Sequence, residues 1–247
     1  MKTGVRSYVR KKINSLLGTV GFEIVRIHGY KDFLQFKDTL REAEKAGITV
    51  GDYIELKYNV QGTYQQTLKK MDELNVFDKE IDRVCEIGPG SGRYLKETYQ
   101  YCNPGYYEIY ETSSDWAEWL VKQYGVKSQP CNEVSLVHTP DRSIDLVQAH
   151  KVFPGLPFFT TVRYFAEMVR VLKDGGRAVF DIFTEDCMDD ATVVKWLNAN
   201  VDSWNFTPTV VPKKYAIDFF SRHGFSLVVS FFAEYKPGKT ECMVFSR

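Results

Sequence analysis

Glycines at 88, 90 and 92 fall inside the run Glu86-Ile-Gly-Pro-Gly-Ser-Gly92, between a short apolar stretch and a helical one. Glycines so placed let the backbone turn tightly and let a ligand approach without Cβ clashes. The helix behind them opens with free N–H groups. Glu111 stands nineteen positions beyond Gly92, closing a second apolar stretch. A carboxylate there can accept hydrogen bonds from both hydroxyls of a ribose. The spacing is G-x-G-x-G, not the G-x-G-x-x-G of dinucleotide binders. Glu86 sharpens that distinction, since a carboxylate beside the loop repels a pyrophosphate and favours the ammonium of an amino-acid-like ligand.

A second set of residues could move a proton. His150 ends one later apolar stretch, Asp181 lies within the next, and Glu185 and Asp186 follow it. A neutral imidazole or a carboxylate at the carboxyl end of a strand can take a proton from an acceptor group. The alternatives are a hydrogen-bonded structural histidine lining the cleft and, for the two loop acids, simple solvation. Asp189-Asp190 reads as a pair of helix-dipole partners. Too few oxygen ligands gather around it for a hard cation, and no metal site is expected.

The elements that must position these groups follow from periodicity. Arg83–Ile87, Tyr106–Tyr110, Val126–Gln129, Ser143–Ala149 and Arg177–Phe183 read as short strands. Ser91–Tyr101, Ser113–Gln123 and Thr160–Leu172 read as the helices between them, with Ser113 or Ser114 as an N-cap. Such alternation predicts a parallel sheet covered on both faces. Ser226–Tyr235 and Thr240–Phe245 flank the turn Lys236-Pro-Gly-Lys239 and predict an antiparallel hairpin at the sheet edge. Ahead of the first strand, helices are expected over 5–17, 32–46 and 63–75, with a short strand over 21–27. The expected fold is therefore α/β, a doubly wound, Rossmann-like, seven-stranded sheet with a C-terminal hairpin. An N-terminal helical extension over 1–78 precedes the sheet domain over 79–247.

These residues resemble a known family. Val84-Cys-Glu-Ile-Gly-Pro-Gly-Ser-Gly-Arg93 looks like motif I of the class I S-adenosylmethionine (SAM)-dependent methyltransferases. Ile144-Asp-Leu-Val-Gln-Ala-His150 resembles their fourth-strand motif, and Leu172-Lys-Asp-Gly-Gly-Arg-Ala-Val-Phe180 their turn and fifth strand. The resemblance spans about residues 80–247 and implies SAM as cofactor. It implies that Glu86 faces the SAM amino group, that Gly88, Gly90 and Gly92 form the floor of the site, and that Glu111 holds the ribose. It also implies that Cys131-Asn132-Glu133 reaches the adenine, with Asn132 where many members carry Asp, and that Gln148 belongs to the cofactor site. His150, Asp181 and Glu185 become the candidate bases. Thr49-Val-Gly-Asp-Tyr-Ile-Glu55 and Gln61-Gly-Thr-Tyr64 are loosely similar to bacterial methyltransferases of glycan and natural-product biosynthesis. That similarity points to a small-molecule or glycan acceptor, methylated at a hydroxyl. Tyr58, Tyr64, Phe153, Phe158 and Phe159 are expected either to line an aromatic acceptor pocket or to be core. The competing readings are a nicotinamide-dependent oxidoreductase and a non-catalytic SAM-binding subunit.

Composition bounds the rest. The chain has 247 residues and no formal net charge, which is enough for a sizeable core and offers no global field for nucleic acid. The charge is uneven, with seven basic residues against the single acid Glu23 over 1–31. That stretch could pack on the core, or make peripheral membrane or partner contact. The five cysteines are dispersed and form no CxxC pair, so reduced thiols and a cytoplasmic location are expected. No apolar run is long enough to span a membrane, and the basic start lacks the apolar segment of a secretory signal.

Overall fold

The computed structural model describes residues 35–132, 134–199 and 208–247. The expected helix over 5–17, the strand over 21–27 and Glu133 lie outside these residues.

Three helices precede the sheet: α1 (Phe36–Ala46), α2 (Val50–Tyr58) and α3 (Thr63–Glu73). Helix α1 starts later than expected and ends, as expected, at Gly47. Helix α2 was not predicted. Its N-cap is Thr49, whose side chain accepts the Asp52 N–H. Glu55 on α2 is fully buried, and its carboxylate accepts the N–H groups of Thr63 at 2.7 Å and Tyr64 at 3.0 Å. One helix thus caps the next, satisfying donors that a helix start leaves free.

The sheet follows as β1 (Arg83–Ile87), α4 (Arg93–Thr98), β2 (Tyr106–Tyr110), α5 (Ser114–Tyr124), β3 (Lys127–Ser128), β4 (Ile144–Ala149), α6 (Phe158–Val171) and β5 (Leu172–Ile182). It closes with α7 (Asp190–Asn198), α8 (Lys213–Arg222), β6 (Ser226–Tyr235) and β7 (Gly238–Ser246). Strand order is β3-β2-β1-β4-β5-β7-β6. Strands β1 to β5 are parallel, and β7 runs antiparallel between β5 and β6. This is the seven-stranded Rossmann-like architecture expected. The chain order reverses beside β1, the switch point where such sheets bind ligands at their carboxyl ends.

Both faces are apolar, as a covered parallel sheet requires. On one, Phe153, Phe165, Phe180, Phe220 and Phe245 pack as successive aromatic contacts under α6 and α8. On the other, Val84, Tyr107, Leu146 and Val179 meet Leu68 and Met71 of α3 and Leu95 of α4. The second face carries the polar groups that matter below.

Local departures have local causes. The expected helix 91–101 is regular only over Arg93–Thr98. Strand β5 starts at Leu172, so the expected turn over 173–176 is drawn into the strand, with a register shift against β4. Ser113 occupies the N-cap of α5, but its hydroxyl makes no cap bond. Its N–H instead donates to Glu111 Oε1 at 2.9 Å.

Candidate functional site

The glycine loop leaves β1 and enters α4, and its three glycines serve different ends. All three have positive φ, a region that glycine alone enters freely. A Cβ on Gly92 would lie 2.4 Å from Leu120 Cδ2, so this glycine lets α4 pack against α5. A Cβ on Gly88 would lie 2.8 Å from Val152 Cγ2, so this one admits the segment after β4. A Cβ on Gly90 would meet nothing within 4 Å. At Gly90 the backbone borders open space, which is what close approach by a ligand demands.

Glu111 follows β2 and faces the same loop. Its Oε2 accepts the Gly90 N–H at 2.8 Å while Oε1 accepts from Ser113. Burial raises its pKa, partly offset by these backbone bonds. The loop and its acid are therefore brought together, as the spacing predicts.

Glu86 is 1% exposed at the end of β1. Its Oε2 receives the Tyr107 hydroxyl and the Gln148 amide, and burial pushes its pKa up to about 7 against these bonds. Gln148 is enclosed beneath it, with its amide also bonded to Thr98 Oγ1 at 3.0 Å and Tyr107 Oη at 2.9 Å. Its place is thus a support for Glu86 and not a wall of the cleft. Asn132 lies on the exposed segment after β3. Its Oδ1 accepts from the N–H groups of Val134 and Ser135 and from the Ser135 hydroxyl. The amide oxygen expected at the adenine is spent on its own turn.

Residues 85–180 match the family described as a methyltransferase domain. The chain is similar to this family from within β1 to within β5. Solved structures share its fold at low identity. Magnesium protoporphyrin IX methyltransferase from Synechocystis PCC 6803, with bound S-adenosylhomocysteine (SAH), is 13% identical, with all of both chains covered and a TM-score of 0.56. The N-methyltransferase NodS from Bradyrhizobium japonicum WM9, also with SAH, is 13% identical over 86% of this chain and 97% of its own, with a TM-score of 0.58. Geranyl diphosphate C-methyltransferase from Streptomyces coelicolor A3(2) is 11% identical over 74% of this chain and 81% of its own, with a TM-score of 0.55. No curated protein matches the chain.

His150 and Asp181 lie next to each other at the ends of β4 and β5. His150 is 5% exposed, and its Nε2 is buried without a hydrogen-bond partner. Its ring stacks on Tyr94 with centroids 4.3 Å apart. Burial lowers its pKa to about 4, although Asp181 pulls the other way. Asp181 is not a free base. Its Oδ1 accepts the Lys151 N–H at 2.6 Å, and Oδ2 lies 3.2 Å from Lys151 Nζ. Burial alone would raise its pKa, but Lys151 holds it below the usual carboxylate value. Glu185 is exposed, and its Oε2 accepts the Lys213 N–H at 2.8 Å, which caps α8. It acts as a cap, the reading that its loop position had not suggested.

The aromatic candidates do not share one wall. Phe153 is core and Tyr64 is buried, whereas Phe159 is 79% exposed. Asp189 caps α7 through the Thr192 N–H and pairs with Lys239, in keeping with the helix-dipole reading. Among the described residues no helix is long and apolar enough to cross a membrane. Sequence reasoning missed Lys151 and Tyr94. Both flank motifs that it did use, and Lys151 is one of three non-glycine residues with positive φ among the described residues.

Proposed function

We propose that this protein is a SAM-dependent methyltransferase that acts on a hydroxyl of a small polar acceptor, a sugar, glycan or natural-product precursor. Bound SAM supplies a methyl group already activated on a sulfonium. In this proposal Glu111 accepts the ribose hydroxyls, Gly90 lies against the ligand, and Glu86 faces its ammonium with Gln148 holding the carboxyl in place. Asn132 shapes the loop expected beside the adenine. The fit rests on the open space over Gly90 and on a carboxylate already anchored to that loop.

The observation that carries the acceptor reading is the buried, unpartnered Nε2 of a neutral His150. A hydroxyl becomes strongly acidic as its oxygen gains a methyl group. A base with a pKa of about 4 is then strong enough to hold the proton. Asp181 stays ionised beside the imidazole and favours its protonated form as that proton arrives.

The test is SAH release across a panel of sugars, phenols and amines. Turnover on hydroxyl acceptors is expected. His150→Ala should lower it by about 10²-fold or more with SAH affinity unchanged. The pH–rate profile should stay flat well below neutrality and fall only toward pH 4, where the lowered pKa lets the imidazole protonate. Turnover confined to amines, or full activity in His150→Ala, would overturn the reading.

A further inference from the structure

We propose that Tyr94 and His150 together form a two-point clamp for the acceptor hydroxyl, with the Tyr94 Oη donating to it and His150 Nε2 accepting from it. This rests on the hydroxyl reading above and adds a residue to it. Tyr94 sits in the first turn of α4, directly behind the glycine loop, and is 2% exposed. Its Oη, like His150 Nε2, is buried with no hydrogen-bond partner. Buried polar atoms are nearly always paired, and an unpaired one costs free energy. Here two of them belong to rings that stack at 4.3 Å and 11° between planes. Stacking holds both rings in place, and in the proposed clamp one small bound group meets both polar atoms. The rings come from separate motifs, one from the loop that borders the cofactor and one from the strand end beside Asp181.

The chemistry of the pair is specific. Burial keeps the Tyr94 phenol protonated and the His150 imidazole neutral. With the imidazole proton on Nδ1, the pair offers one donor and one acceptor. An alcohol matches both. A protonated amine cannot accept from Tyr94. A methyl ether has no proton for Nε2, so the product loses half of the clamp. Other charged groups act on the two rings, namely Arg93, Asp181 and Lys151 on His150, and Arg93, Asp181 and Glu55 on Tyr94. The Lys151 ammonium is itself occupied by Asp181, the Glu234 carbonyl and Thr240 Oγ1.

Tyr94→Phe tests the clamp, because it keeps the stacked ring and removes only the hydroxyl. The thermal midpoint should equal or exceed that of the wild type, since a buried group without a protein partner is deleted. Calorimetry should give an unchanged SAH affinity. With the hydroxyl acceptor found in the panel, kcat/KM should fall at least about tenfold. A midpoint lowered by several degrees would overturn the clamp, because the hydroxyl would then have a structural partner. Unchanged kcat/KM would overturn it too. If wild-type protein fails to bind SAH, or turns over no hydroxyl acceptor, it is the underlying function that fails. The thermal midpoint of Tyr94→Phe still decides whether the hydroxyl is held free.

Discussion

Gly90→Val should abolish binding of SAM and SAH while leaving the fold intact. The backbone at Gly90 has φ +53°, and a Cβ there meets no protein atom within 4 Å. The variant therefore pays only the left-handed conformation, about 1–3 kcal/mol for a non-glycine residue. A domain of ordinary stability survives that loss. The isopropyl group would fill the space over the loop, which the reading gives to the cofactor. Gly92→Ala makes the contrast. Its added methyl would meet Leu120 Cδ2 at 2.4 Å, so the protein itself must yield. The thermal midpoint should fall further for Gly92→Ala, and SAH affinity further for Gly90→Val. Glu111→Ala belongs in the series and should weaken binding by about 1–3 kcal/mol, as expected for losing bonds to a charged group. Calorimetry with SAH and thermal unfolding measure both quantities. Wild-type affinity in Gly90→Val would remove the loop from the cofactor site.

The core of this fold was legible because its signals are local. Short apolar stretches mark β1, β2 and β4, with Gly88 after the first and Gly105 before the second, and the turn at Lys236–Lys239 marks the terminal hairpin. Helix α2 escaped because its sequence, VGDYIELKY, lacks a clean apolar stripe and buries a glutamate. Glu55 reads as a surface acid until α3 is seen to start on it. The glycine loop and its contact with Glu111 were legible for the same local reason. The acceptor side was not. Asp181 and Glu185 look alike in sequence, as acids near a strand end, but their partners are Lys151 and the start of α8. Gln148 and Glu86 share a register across β1 and β4, and only that pairing turns one into the support of the other. Long-range pairing decides which buried acids are free, and periodicity does not carry it.

Lys151→Met should be among the most destabilising single changes on the acceptor side. The Lys151 side chain is 8% exposed and that of Asp181 is 2% exposed. The ammonium lies 3.2 Å from Asp181 Oδ2 and donates at 2.9 Å to the Glu234 carbonyl and at 2.9 Å to Thr240 Oγ1. It thereby ties the end of β4 to β5 and to the terminal hairpin. Methionine keeps most of the stem and removes the charge, leaving Asp181 a buried carboxylate with one backbone donor from residue 151. Breaking a buried pair on one side typically costs about 3–5 kcal/mol. The double variant Lys151→Met/Asp181→Leu should recover part of that loss, because neither charge is then stranded. The pH dependence has a definite sign. The folded-state pKa of Asp181 is depressed, so the pair stabilises above the unfolded carboxylate value and the benefit fades as pH falls through the folded one. In Lys151→Met burial acts unopposed by the ammonium, so the carboxyl takes up a proton more readily. The gap in thermal midpoint between variant and wild type should therefore be widest near neutral pH and should narrow toward pH 4. Equal midpoints at neutral pH would show that the pair contributes nothing, and would leave His150 positioned by its stack on Tyr94 alone.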